Sequence, residues 1–216
     1  MIDHNLLDTN MFSIIWPTET REQGSLIFGG YDEDLLDGEL VSHLLYPEDT
    51  TSWQIEIEGV TMTNSTGGKE VLVDKPLPHA TALFMSFPPI LAFPWSLAQS
   101  LMQHFENWPS ACFRFRVVNC TDVPSFPEII IRLKGQNVTL SGEDYVRRLE
   151  MPSHCANFGV DECYLMFDYL GDMESTVILG MPFLEKVMGV WNWNDKTVSC
   201  EFFSALVERV VMLTCV

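Results

Sequence analysis

Basic residues are scarce in this chain: 12 Lys and Arg stand against 30 Asp and Glu, a net charge of −18 over 216 residues. They form no stripe, so the electrostatic footprint that nucleic acid or an anionic membrane surface would need is missing, and neither is an expected partner. Long apolar runs are missing too, none reaching the roughly 18–20 residues of a spanning helix. The opening "MIDHNLLDTNMF" has no basic n-region and no apolar h-region, so no leader is read here, and Met1 is expected not to be the original start of the gene product. There is no HExxH helix, P-loop, Gly-x-Ser-x-Gly elbow or CxxC pair. His4, His43, His79, His104 and His154 share no ligand spacing, and Asp32-Glu33-Asp34 and Asp161-Glu162 lack the spacing of a calcium loop. No metal and no cofactor is expected.

What is present is apolar and folded. Hydrophobic residues make up 47% and aromatics 12%, too much for disorder, and the length suits one globular domain over 1–216. Six cysteines, at 112, 120, 155, 163, 200 and 215, and three N-x-Ser/Thr acceptor sequences, at Asn64, Asn119 and Asn137, together favour an oxidising, secretory history with N-glycosylation at those asparagines. The 11 methionines, and Trp16, Trp95, Trp108, Trp191 and Trp193, read as core filling and core anchors.

Turn signals recur at short intervals, among them Gly29-Gly30, Asp37-Gly38, Gly67-Gly68, Pro76 with Pro78, and Gly135-Gln136-Asn137. Between them lie strand-like runs: "SWQIEIEGVTM", "KEVLVD", "CFRFRVV", "EIIIRLKG", "NVTLSG", "TVILG" and "VMGVWNW". The fold class is therefore mostly β with a few short helices. Ile129-Ile130-Ile131 reads as buried on both faces. One helix of about three turns is expected after Pro94, capped by Ser96 and burying Leu97, Leu101, Met102 and Phe105. Shorter helical segments are expected at 141–145 and 182–187, and the tail 204–216 stays unassigned.

Residues 81–94, "TALFMSFPPILAFP", carry no ionisable side chain. Ala82–Phe84 and Ile90–Phe93 read as buried strands, but Pro88 and Pro89 remove two backbone donors and force a loop between them, in apolar surroundings.

In order along the chain, "QGSLIFGGYDEDLLDGEL", "SWQIEIEGVTM", "FPEIIIRLKGQNVTLSGEDYV" and "TVILGMPFLEKVMGVWNWNDKTVSCEF" resemble the C-terminal lobe of the pepsin-like (A1) aspartic peptidases, over about residues 10–203. The resemblance implies a single lobe of the acid-protease fold. In active members each lobe supplies an Asp-Thr/Ser-Gly triplet, and the paired carboxylates share a proton and activate water. Here the matching positions are Met85, Ser86 and Phe87, followed by Pro88 where that family has Thr or Ser. The loop thus reads as degenerate, with no catalytic residue. A thioether carries no transferable proton, Phe lacks the conformational freedom of Gly, and Pro offers no N–H. Asp74 in "VLVDKPLP" better fits a hairpin end than a replacement acid, and Met181 stands where many relatives have another Asp. The resemblance also implies a disulfide from Cys120 to Cys155 or Cys163, leaving Cys112, Cys200 and Cys215 unassigned.

The implied function is a non-catalytic peptidase homologue that binds a polypeptide or a complementary N-lobe-like chain, or pairs with a second copy of itself, outside the cell or in the secretory pathway. The alternative is the C-terminal half of a larger secreted aspartic endopeptidase. Phe84, Met85, Phe87, Pro88 and Pro89 are expected to be exposed at the binding face.

Overall fold

The computed structural model describes residues 7–18, 21, 23–64, 69–109, 116–148, 161–169, 171, 173 and 175–202. In chain order the strands are β1 (Met11–Ile15), β2 (Ser25–Phe28), β3 (Val41–Leu44), β4 (Gln54–Thr63), β5 (Val71–Phe84), β6 (Leu91–Phe93), β7 (Trp108–Pro109) and β8 (Arg116–Asn119). They continue as β9 (Glu128–Leu133), β10 (Gln136–Leu140), β11 (Val146–Arg147), β12 (Glu162–Leu165), β13 (Phe167–Tyr169), β14 (Thr176–Leu179), β15 (Met188–Asn192) and β16 (Thr197–Glu201). Among the described residues three short α-helices join them: α1 (Trp95–Met102), α2 (Gly142–Tyr145) and α3 (Met181–Leu184). The mostly β class expected from the turn spacing is what folds. Two compact units form, one from 1–56 with 184–216 and the other from 57–183.

In the first unit both ends of the chain enter one antiparallel sheet, ordered β2-β1-β15-β16-β3. Ile15, Leu35, Met188 and Val190 form its buried cluster. Phe12 stacks on Trp191 at 5.1 Å, and Trp53 meets Phe12 and Trp193 edge-on. The Lys196 ammonium lies 3.1 Å from the Trp193 ring centre, a cation–π contact at the wet end of the group. Gly189 makes room for this packing, because a Cβ there would fall 2.3 Å from the Trp191 ring. Cys200 is buried and reduced on β16.

The second unit carries a mixed seven-stranded sheet, ordered β10-β9-β4-β5-β14-β6-β13, and an antiparallel four-stranded sheet, β11-β12-β8-β7. Phe105 gathers Phe126, Tyr145 and Phe167 around it, with ring centres 5.1–6.0 Å away. The Tyr145 hydroxyl is satisfied by donating to the Pro127 carbonyl. A disulfide joins Cys120 to Cys163. Closing a loop of 43 residues is worth about 4 kcal/mol in the chain-entropy model. Cys163 sits within β12. Cys112, Cys155, Cys215 and the tail 204–216 lie outside the described residues.

Several local expectations are corrected. The triple Ile of β9 alternates: Ile129 and Ile131 are buried while Ile130 is half-buried, because this strand has one wetter face. β5 does not turn at Pro76 and Pro78 but runs through them to Phe84. Its described pairing with β14 covers only Thr81–Phe84, beyond both prolines. Asp74 is accordingly mid-strand, not at a hairpin end. It pairs with Arg132 at 3.0 Å and accepts from the Thr61 hydroxyl at 3.1 Å. Arg132 reaches it across Gly59, where a Cβ would lie 2.3 Å from the guanidinium. The helix after Pro94 is two turns, not three, and starts at Trp95 with Pro94 in the cap position; Ser96 is inside it. Its buried face is Leu97, Ala98 and Leu101, with Phe105 buried just beyond the helix and Met102 half-buried. At Ser141, by contrast, the expected helical start carries a capping box with Asp144.

Candidate functional site

The loop at 85–90 hangs from the middle of the seven-stranded sheet. β14 lies between β5 and β6, parallel to the first through Thr81–Phe84 and antiparallel to the second through Ile178 and Ala92. The chain leaving β5 must therefore cross the C-terminal end of β14 to enter β6, and residues 85–90 make that crossing. The Met85 N–H donates to the Leu179 carbonyl at 3.3 Å, and the Ile90 N–H donates back to Pro88 at 2.8 Å. Gly180 follows directly. A Cβ at that position would fall 2.0 Å from the Ile90 carbonyl oxygen and 2.8 Å from its nitrogen, so the crossing backbone requires a residue without a side chain. This close approach gives the glycine of Ile178-Leu179-Gly180 a physical reason.

Met85, at the position matched to the acid, is half-buried and packs against the cluster formed by Ile90, Ala92, Val117, Tyr164, Met166 and Ile178. That setting is largely apolar, and a thioether fits it at less desolvation cost than a carboxylate. Tyr164 is the only hydroxyl-bearing member; its OH donates to Glu162, and burial foremost, with that carboxylate, holds its pKa above the usual phenol value. The next three residues, Ser86, Phe87 and Pro88, are exposed, Phe87 at 80%. The expectation of an apolar enclosure around the prolines is thus wrong for this part of the loop. The expected exposed set is also smaller than read: Phe84 is buried and meets Phe183 edge-on at 5.9 Å, while Met85 and Pro89 are half-buried. Met181 is half-buried at the start of α3.

One surface feature was missed. Trp95 is 48% exposed, not a core anchor, and meets Tyr169, 37% exposed, edge-on at 4.5 Å. The register explains the meeting, since Tyr169 pairs with Phe93 and Trp95 follows two residues later. The signal was available, because Trp95 falls off the stripe defined by Leu97 and Leu101. Trp191 is buried and Trp16 and Trp193 are half-buried; the Trp108 side chain lies outside the described residues.

Among the described residues no group of three or more His, Cys, Asp or Glu is placed to hold a metal ion. No described helix is long and apolar enough to cross a membrane.

The family model described as eukaryotic aspartyl protease matches residues 1–201. Renin-2 of Mus musculus is 32% identical over 127 residues, covering 57% of this chain and 28% of that protein. Aspartic protease Bla g 2 of Blattella germanica is 24% identical over 190 residues, covering 87% of this chain and 47% of that protein. Cathepsin D of Bos taurus is 26% identical over 155 residues, covering 69% and 36%. The chain spans less than half the length of each of these relatives.

Proposed function

Because the chain belongs to the eukaryotic aspartyl protease family, we propose that it is a non-catalytic member that binds polypeptide, or a complementary lobe-like chain, through the loop opened by Met85. The observation that carries this reading is the environment of Met85. Acid-peptidase chemistry needs two carboxylates sharing a proton; the position matched to one of them is a thioether set among six apolar or aromatic side chains, and Phe87 beyond it is turned to solvent. The Cys120–Cys163 disulfide supports a secretory-pathway location, where such bonds persist. The length of the relatives supports a second reading, the C-terminal half of a larger secreted aspartic endopeptidase.

The test uses a reduced, carboxymethylated protein as probe between about pH 3 and pH 6, the range that brackets carboxylate titration. No pepstatin-sensitive fragments are expected. Binding of the same probe is expected to weaken at least tenfold (~1.4 kcal/mol) in Phe87→Asp. Pepstatin-sensitive cleavage would favour the endopeptidase reading, and binding indifferent to Phe87→Asp would remove the loop from the contact. Met85→Asp is expected to stay inactive, since Phe87 and Pro88 remain, and to lose roughly 2–3 kcal/mol of stability by placing a carboxylate against Ile90, Ala92, Val117 and Ile178.

A further inference from the structure

We propose that Asn137 is the acceptor of an N-linked glycan, and that this glycan guards an otherwise undefended strand edge. Asn137-Val138-Thr139 lies on β10, the terminal strand of the seven-stranded sheet; among the described residues only β9 pairs with it. Val138 and Leu140 are buried, Asn137 is exposed and Thr139 is half-buried. The two-residue period of a strand therefore puts the acceptor amide and the hydroxyl of its sequon together on the outer side. The other two acceptor sequences are placed differently. Asn119 is half-buried, its Oδ1 accepts from the Thr121 N–H, and the Cys120 between them is tied to Cys163. Asn64 is half-buried just after β4.

The need for a guard is read from the strand itself. Exposed edges are normally blunted by charge, Lys, Pro or a bulge. Gln136-Asn137-Val138-Thr139-Leu140 has no charged residue and no Pro, and its pairing with β9 runs five residues without a bulge. The nearest cation across the register, Arg132 opposite Asn137, is already committed to Asp74. A branched, hydrated oligosaccharide at Asn137 supplies the bulk that the side chains lack. In the transfer, the Asn137 Nδ2 gives up a proton and bonds to the anomeric carbon of an oligosaccharide carried on a lipid pyrophosphate, which leaves as the lipid pyrophosphate.

This inference rests on the secretory reading, so the test supplies a leader: the full chain behind a cleavable signal is expressed in a eukaryotic host. Enzymatic release of N-glycans in heavy-oxygen water is expected to mark Asn137. Asn137→Gln and Thr139→Ala are expected to abolish that mark, and Thr139→Ser to retain it. Sedimentation of the secreted Asn137→Gln protein is expected to show about a twofold rise in mass from self-association, relative to the glycosylated chain. Translation into microsomes, read by gel shift, reports use of Asn137 even where a variant fails to fold. An unmodified Asn137 in both systems overturns the site; a modified Asn137 whose loss leaves sedimentation unchanged overturns the guarding role.

Discussion

Met85 and Cys200 show how burial decides what a sulfur can do. Met85 occupies its apolar setting with nothing to ionise. Cys200 can ionise, but burial foremost, reinforced by the neighbouring Glu201, pushes its thiol up to about 12. A thiol whose folded pKa lies above its unfolded value favours folding while it stays protonated. Its contribution is complete below about pH 9 and is lost as pH rises toward 12. Two results are expected: no alkylation of Cys200 at pH 8.5 until urea unfolds the chain, and a fall in unfolding midpoint from pH 9 to 11 that is shallower in Cys200→Ala. Rapid native-state alkylation at pH 8.5 would contradict this. The cysteine's place in the sequence was plain; its reactivity was not, since burial of the thiol exists only once β16 is set into the folded sheet between β3 and β15.

At the scale of elements, the crossing of β14 by residues 85–90 is the feature on which the site depends. Gly180 makes it possible, and the obstruction there is backbone, which cannot swing aside as a long side chain could. Gly180→Ala is expected to cost about 3 kcal/mol and to lower the urea midpoint accordingly. Gly171→Ala, with nothing within 4 Å of its built Cβ, is the control expected within about 0.5 kcal/mol. Equal midpoints for the two variants would show that the crossing can relax. Much at this scale was legible beforehand. The strands flanking the loop, the capped start at Ser141 and the β4 alternation all follow local patterns that tertiary contacts reinforce. β5 was misread at its prolines and β9 at its middle Ile, because both depend on which neighbour lies alongside, a fact carried by residues far away in sequence.

For the whole molecule, charge and exposed apolar surface act against each other. A net charge of −18 opposes nonspecific association. Phe87, Trp95 and Tyr169 nevertheless remain at least a third exposed, and exposed apolar surface of this kind commonly marks an interaction site. Specific pairing is therefore expected over aggregation. Sedimentation at micromolar concentration should show a reversible dimer, or a complex when an N-lobe-like chain is added, that Phe87→Asp weakens. A native protein that stays strictly monomeric both alone and with such a chain would count against it.

The sequence by itself determined the β class and the family resemblance, because hydrophobic period, turn residues and motif order are local properties that survive unfolding. The resemblance also implied one of two cysteines, Cys155 or Cys163, as the partner of Cys120. Only the tertiary structure decided that this partner is Cys163, that Met85 turns inward while Phe87 turns out, that Asp74 answers Arg132, and that Asn137 stands on an edge. Each of these depends on strands brought together from distant parts of the chain, and burial, pairing and exposure exist only once that register is set.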